Sequence, residues 1–318
     1  MLKINFKFVA ALFALIILFF GLGAYFDSRC EHGCLEVAIK DSLAKGENNI
    51  DFSFDDFSFT HKSSTHTTTT TTSTKVGDVT TDLPPMDGVT RIEILSVSTD
   101  WQVINSADSY KLTLTGAQKG WKVQKEGKKM VIQLMAGGAD TAELTIPDSY
   151  KGELYLKTIS GEVRIGEVMN LTKIQLESAS GDIALETWPS ESLEVNTVSG
   201  DLRVLAGLSV QQPQDITLHS VSADIDLEVK YPFKVIHTQT VSGSMNLQVP
   251  ESVSFTYDMH SISGDFNGLP EGGTLKEGLG NKEMSGKAGS DPQPRSNVHF
   301  ESVSGDFSLN QGPKVGKR

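Results

Sequence analysis

Serine, aspartate and histidine, the side chains from which hydrolytic triads and metal centres are made, recur along this chain at a nearly fixed spacing. Seven stretches share one pattern: Thr158-Ile-Ser-Gly-Glu-Val-Arg-Ile165, Ser178-Ala-Ser-Gly-Asp-Ile-Ala-Leu185, Thr197-Val-Ser-Gly-Asp-Leu-Arg-Val204, Ser220-Val-Ser-Ala-Asp-Ile-Asp-Leu227, Thr240-Val-Ser-Gly-Ser-Met-Asn-Leu247, Ser261-Ile-Ser-Gly-Asp-Phe-Asn-Gly268 and Ser302-Val-Ser-Gly-Asp-Phe-Ser-Leu309. A serine beside a base can become a nucleophile, a row of carboxylates can hold a divalent cation, and imidazoles can bind a transition metal or respond to pH. A catalytic set should occur once, whereas these Ser and Asp residues return in every copy, which marks them as architecture. We therefore expect no enzymatic chemistry, no catalytic residue and no cofactor. The rival expectation, a β-helix polysaccharide lyase or hydrolase, requires a singular cluster of acids and bases in a groove.

The pattern assigns structural turns to Ser160 and Gly161, Ser180 and Gly181, Ser199 and Gly200, Ser222, Ser242 and Gly243, Ser263 and Gly264, and Ser304 and Gly305. Glycine after the serine fits either a positive φ or a place with no room for a side chain, and Ala223 shows that the requirement is not absolute. Two places after the serine stand Glu162, Asp182, Asp201, Asp224, Asp265 and Asp306, interrupted by Ser244. Coils in register would put Asp182, Asp201, Asp224, Asp265 and Asp306 in one outward stripe with neighbours about 4.8 Å apart, where like charges repel. The stripe is read either as carboxylates bonded to turn N–H groups or to the central serine, or as a site for a divalent cation or a basic ligand. No calcium ligands are named, because the paired glycines of calcium-binding solenoid repeats are absent. His219, His237, His260 and His299 all fall at odd, outward offsets before the serine. On adjacent coils His219, His237 and His260 could be neighbours, as a metal or pH-sensing patch or, the preferred reading, as solvated face positions.

These side chains must be positioned by repeated strands. Before each serine, apolar and polar residues alternate (Ile174, Leu176, Ser178; Leu193, Val195, Thr197; Ile216, Leu218, Ser220), the signature of a half-buried strand. After it the inward parity changes, so a corner falls just before the serine. The serines are spaced 20, 19, 23, 20, 21 and 41 apart, giving coils of about 20 residues. The fold class expected is all-β, a parallel β-solenoid, in which stacking covers edges that a single coil leaves open. A degenerate copy at Ile92 to Val103 extends the rod upstream, to about ten or eleven coils and on the order of 50 Å. Between Ser98 and Ser160 we expect two coils without the motif, with strands at Lys111–Thr115, Trp121–Lys125, Met130–Met135 and Ala142–Ile146; the alternative is a hairpin cap. The Gly-rich insertion 267–296 is expected to be a mobile surface loop replacing one coil's motif.

Upstream of the rod (residues 90–310) the composition changes. Residues 1–7 carry Lys3 and Lys7 and precede an uncharged run from Phe8 to Phe26, 19 residues, enough to span about 28 Å as a helix. We expect an uncleaved transmembrane signal-anchor at 8–26 with the N-terminus in the cytoplasm and the rest periplasmic or extracellular; a cleaved signal peptide is the alternative. A membrane-proximal region, 27–62, contains Cys30 and Cys34, expected to form a local disulfide in an oxidising compartment. A Thr/Ser-rich spacer, 63–75, and a basic tail, 311–318, complete the organisation. With 28 Lys+Arg against 40 Asp+Glu the net charge is −12, which argues against a nucleic-acid partner. Two Cys exclude a disulfide-dense scaffold and a four-Cys zinc site.

The Ser-Gly-Asp units, in four registers with variants in the others, resemble the bacterial "putative adhesin" domain-of-unknown-function family, over roughly residues 90–310. The resemblance implies a β-solenoid of an exported or membrane-anchored envelope protein, and it carries no catalytic residue to this chain. The long N-terminal segment and the insertion after Phe266 depart from it. The expected function is a non-enzymatic binding or adhesin-like module of the cell envelope, held to the membrane by its N-terminal helix and recognising an unknown protein, glycan or lipid. An extracytoplasmic sensor in envelope-stress signalling is the alternative.

Overall fold

The computed structural model describes residues 69–73 and 77–312, except 107, 119, 136–137, 169, 187–188, 206–214, 271–272 and 279–280. The run 8–26, Cys30, Cys34, the rest of the membrane-proximal region and the tail beyond 312 lie outside the described residues. Among the described residues no helix is long and apolar enough to cross a membrane.

The strands, in chain order, are β1 (Thr69–Ser73), β2 (Gly77–Asp82), β3 (Arg91–Ser96), β4 (Asp100–Ser106), β5 (Lys111–Ala117), β6 (Trp121–Glu126), β7 (Lys129–Leu134) and β8 (Thr141–Pro147). Then come β9 (Glu153–Thr158), β10 (Val163–Ile165), β11 (Lys173–Ser178), β12 (Ile183–Leu185), β13 (Ser192–Thr197), β14 (Leu202–Val204), β15 (Asp215–Ser220) and β16 (Ile225–Glu228). The last third holds β17 (Val235–Thr240), β18 (Met245–Pro250), β19 (Phe255–Ser261), β20 (Phe266–Asn267), β21 (Thr274–Gly278), β22 (Asn281–Ala288), β23 (Ser296–Ser302) and β24 (Phe307–Gly312).

They form two sheets that share one core. The first runs β1-β6-β7-β3-β9-β11-β13-β15-β17-β23-β19-β22-β21, the second β2-β5-β8-β4-β10-β12-β14-β16-β18-β24-β20. Each coil gives one strand to each sheet, and the repeat serine lies in the corner between them. In β11 the burial alternates with Ile174, Leu176 and Ser178 inward, and in β12 Ile183 and Leu185 turn in after the corner. The one-residue alternation follows from the pleat, with one face dry and one wet. Larger side chains fill the ends of the core: Trp101 and Trp121 at one, Phe255, Tyr257, Phe300 and Phe307 at the other.

The order of coils departs from the order of the sequence at both ends. The four upstream strands form as expected, but two motif-free coils do not separate Ser98 from Ser160. Instead β3 pairs directly with β9 and β4 with β10, while β7 and β8 make one coil on the outer side. Antiparallel β6 and β5 then cover that coil, so the hairpin-cap alternative holds. At the other end the insertion is not a mobile loop: β21 and β22 form an antiparallel hairpin against β19. The chain then returns, and β23 slots between β17 and β19 while β24 slots between β18 and β20. The 41-residue gap in the serine spacing is thus a cap followed by an inserted coil. Among the described residues nine stacked coils remain once the antiparallel cap strands are set aside, fewer than the repeat length suggested. Part of the expected Thr/Ser spacer also belongs to the fold, since β1 pairs antiparallel with β6. The physical reason is common to both ends: a parallel stack leaves open N–H and C=O rows, and hairpins cover them.

Candidate functional site

The repeat corner is the first place where chemistry could reside. All seven central serines use their hydroxyls in the same way. Ser160 Oγ donates to Val97 O, Ser180 to Ile159 O, Ser199 to Ala179 O, Ser222 to Val198 O, Ser242 to Val221 O, Ser263 to Val303 O and Ser304 to Val241 O, at 3.3–3.4 Å. Each of these carbonyls also receives the backbone N–H of the same serine, at 2.8–3.1 Å. The serine therefore clamps one coil to the next, and among the described residues no base is hydrogen-bonded to it.

The glycines form a column of close backbone approaches. A Cβ on Gly181 would lie 2.3 Å from Gly161 O, one on Gly243 1.7 Å from Ala223 O, and one on Gly264 2.0 Å from Gly305 O. Two corner conformations share this column. Gly161, Gly181 and Gly200 have positive φ (114°, 125° and 99°), whereas Gly243, Gly264 and Gly305 do not. In the second type a Ser or Thr three residues before the N–H, buried except at Ser302, accepts from it: Ser220 from Ala223, Thr240 from Gly243, Ser261 from Gly264 and Ser302 from Gly305. Ala223 is tolerated because its corner belongs to this type, which asks for no left-handed backbone.

The acidic stripe is largely consumed by the backbone as well. Asp182 Oδ1 accepts the N–H of Asp201 at 2.9 Å, Asp201 that of Asp224 at 3.4 Å, Asp224 that of Ser244 at 2.9 Å and Asp306 that of Asp265 at 2.8 Å. The N–H belongs to the neighbouring coil, so each carboxylate is a rung of a ladder. Asp100 serves Glu162 in the same way at 2.8 Å, Glu162 pairs with Arg164 at 2.7 Å, and Lys282 caps Asp265. A shallow open depression lies beside Asp201, Arg203, Asp224 and Asp226. If the ladder is structural, replacing Asp182, Asp201 and Asp224 together by Asn keeps the acceptors and removes self-repulsion. That variant should unfold at the same or a higher temperature in low salt. Alanine at the same three positions should cost about 0.5–1.5 kcal/mol per lost bond. Added magnesium or calcium should not raise the melting temperature of the native chain beyond an equal ionic strength of sodium chloride. A divalent-specific rise, lost in the Asn variant, would assign the stripe to cation binding.

The histidine face differs from the repeat because it occurs once. His219, His237, His299 and His260 stand in that order on β15, β17, β23 and β19. Neighbouring ring centroids are 6.0, 5.0 and 5.8 Å apart, and the His237 and His299 rings stack at 5°. The outward parity legible in the sequence places all four. The neighbour relation is different from the expected one, because the inserted coil puts His299 between His237 and His260. Burial holds His219 and His237 below the usual imidazole range, and for His237 the neighbouring His299 and His219 add to it. His299 goes the other way, raised by its hydrogen bond to Glu301 against the effect of burial. Glu301 is correspondingly pushed down to about 2, chiefly by the bond from His299, with Gln239 also donating to it at 2.9 Å. Asp258, one strand over, lies 3.1 Å from His260 Nε2 and 3.7 Å from His299 Nδ1.

Comparison with known proteins adds the following. A family model described as Toastrack DUF4097 matches residues 89–310. Among solved structures, one described as "a putative cell adhesion protein" from Clostridium sporogenes is similar at 12% identity and a TM-score of 0.34, over 75% of this chain and all of that one. No curated protein matches the chain at a significant level.

Proposed function

As the chain belongs to the Toastrack DUF4097 family, we propose that it is a non-enzymatic binding module of the cell envelope, a rigid rod presented outside the membrane by an N-terminal anchor. The observation that carries the non-enzymatic reading is the fate of the seven repeat serines, every one of which spends its hydroxyl on a neighbouring coil. The anchoring is supported by the uncharged run Phe8 to Phe26 behind Lys3 and Lys7. The rod suits a binding role because its outward side chains vary from coil to coil while the backbone stays fixed.

Two tags on the full chain test this reading. A tag after Arg318 should be cut by protease added outside the cytoplasmic membrane, while a tag before Met1 stays protected. The purified full chain should then co-sediment with isolated envelope material without releasing soluble sugar or lipid products. A protected C-terminal tag, or catalytic release of product, would contradict the proposal. Capture of a membrane signalling protein in the same pull-down would favour the sensor role over adhesion.

A further inference from the structure

The exchange of coils at the C-terminal end brings together side chains from two adjacent strands. We propose that Asp258 and His260 on β19 and His299 on β23 form a binding site for a divalent transition metal of the zinc class, clamping the inserted coil to its neighbour. The site depends on the fold alone and not on the anchoring or binding role proposed above. One ligand atom from each of the three residues lies within 4.8 Å of the others. His260 Nε2 is 3.1 Å from Asp258 Oδ1, and His299 Nδ1 is 3.7 Å from Asp258 Oδ2. Ligands about 2.0–2.1 Å from a tetrahedral metal stand roughly 3.3–3.5 Å apart, so small side-chain shifts would close the site.

The surroundings of each ring point the same way. A metal-bound imidazole normally gives its second nitrogen to a carboxylate, which fixes the ring and raises its basicity. His299 Nε2 is 2.9 Å from Glu301 Oε1, and His260 Nδ1 faces Glu283 Oε1 on the cap strand β22 at 4.0 Å. His237 stacks flat on His299 from the opposite side, at 5.0 Å. Each imidazole thus stands between two carboxylates. In its neutral form, the form that binds a metal, an imidazole has one N–H, so one nitrogen of each ring would turn a lone pair towards an anion. His260 Nδ1 is buried and makes no hydrogen bond. A cation among Asp258, His260 and His299 removes that conflict: it takes the lone pairs of His260 Nε2 and His299 Nδ1, leaves the His260 proton on Nδ1 facing Glu283, and leaves the His299 proton on Nε2, which donates to Glu301. The imidazole donors select zinc-class metals over calcium or magnesium.

The test uses the full chain with Cys30→Ser and Cys34→Ser, which removes thiol ligands outside the rod. It is stripped with chelator, dialysed against zinc ions alone and assayed for bound zinc, with cobalt substituted for absorption spectra. The parent should retain one zinc that His260→Gln and His299→Gln lose, with affinity at least tenfold weaker. Glu301→Gln should keep the site but weaken it about 10–100-fold. His219→Gln, on the same face but outside the cluster, should bind as the parent does. Zinc should raise the parent's melting temperature, and Asp258→Asn, which preserves shape, should abolish that rise while melting like the parent without metal. Equal zinc retention in the parent, His260→Gln and His299→Gln would overturn the proposal. So would equal loss in His219→Gln, or no zinc retained by the parent.

Discussion

Gly200→Val should lose cooperative unfolding at any temperature where the native rod is folded, or melt far below it. Gly200 sits at φ 99°, in the left-handed region where a β-branched residue is strained. Its Cβ would stand 2.4 Å from Gly181 O, 2.7 Å from Gly181 C and 2.9 Å from Gly181 N. These are backbone atoms of the neighbouring coil, held by the Ser199 clamp, so they cannot swing away. Strain of about 1–3 kcal/mol and overpacking of about 1–3 kcal/mol or more together make a loss on the order of 3–5 kcal/mol. That is a large part of the roughly 5–15 kcal/mol that holds a domain folded. Gly312→Ala, where a Cβ would meet nothing within 4 Å, should stay within about 0.5 kcal/mol of the native chain. Circular dichroism melts of the two variants check the pair, and an unchanged Gly200→Val melt would break the corner assignment.

Removal of residues 296–318 should be more damaging than trimming one end of a stack. The deletion takes β23 and β24 from between β17, β18 and β19, β20, and with them the fully buried Val298, Phe300, Phe307 and Leu309. Each such side chain is worth about 1.5–3 kcal/mol on burial, so the gross loss is comparable with the whole stability of a domain. It also leaves β19 without its parallel neighbour and separates the cap hairpin from the rod. Hydrogen exchange should show β17, β19 and β22 losing protection together, while β9 to β14 keep theirs. Retained protection on β19 would mean that it pairs with something other than β23.

The repeat was legible because its cause is local. Alternating burial, the corner before the serine and the need for glycine each follow from one coil's own residues and the contact it makes with an identical coil. Ser160 through Ser304 stand in the corners between strands, and each but Ser222 is followed by a glycine. Coil order was not legible, because parallel rungs recognise each other through backbone groups and similar aliphatic layers, which carry no address. The serine spacing of 41 and the long gap before Ser160 marked the irregular places, but an extra coil and a cap have similar lengths. The histidine cluster was half legible for the same reason. Outward parity put His219, His237, His260 and His299 on one face, while the position of His299 depends on the exchange. The acid stripe was read as a column of charges in need of relief. Its relief comes from the next coil's N–H rather than from the acid's own turn, a register effect visible only once coils are stacked.

That the repeat builds a rod, and that its singular chemistry arises where coil order breaks, is tested most directly by engineered cysteine pairs. Gln239, Glu301 and His260 occupy equivalent places three residues before Ser242, Ser304 and Ser263. In the fold Gln239 is paired with Glu301, and Glu301 with His260. In-register neighbours lie about 4.8 Å apart, within the span a disulfide bridges, whereas two spacings exceed it. In a chain carrying Cys30→Ser and Cys34→Ser, mild oxidation should join Gln239→Cys to Glu301→Cys and fail to join Gln239→Cys to His260→Cys, as read by mass spectrometry of linked peptides. Efficient linkage of the second pair and none of the first would place the coils in sequence order and contradict the account.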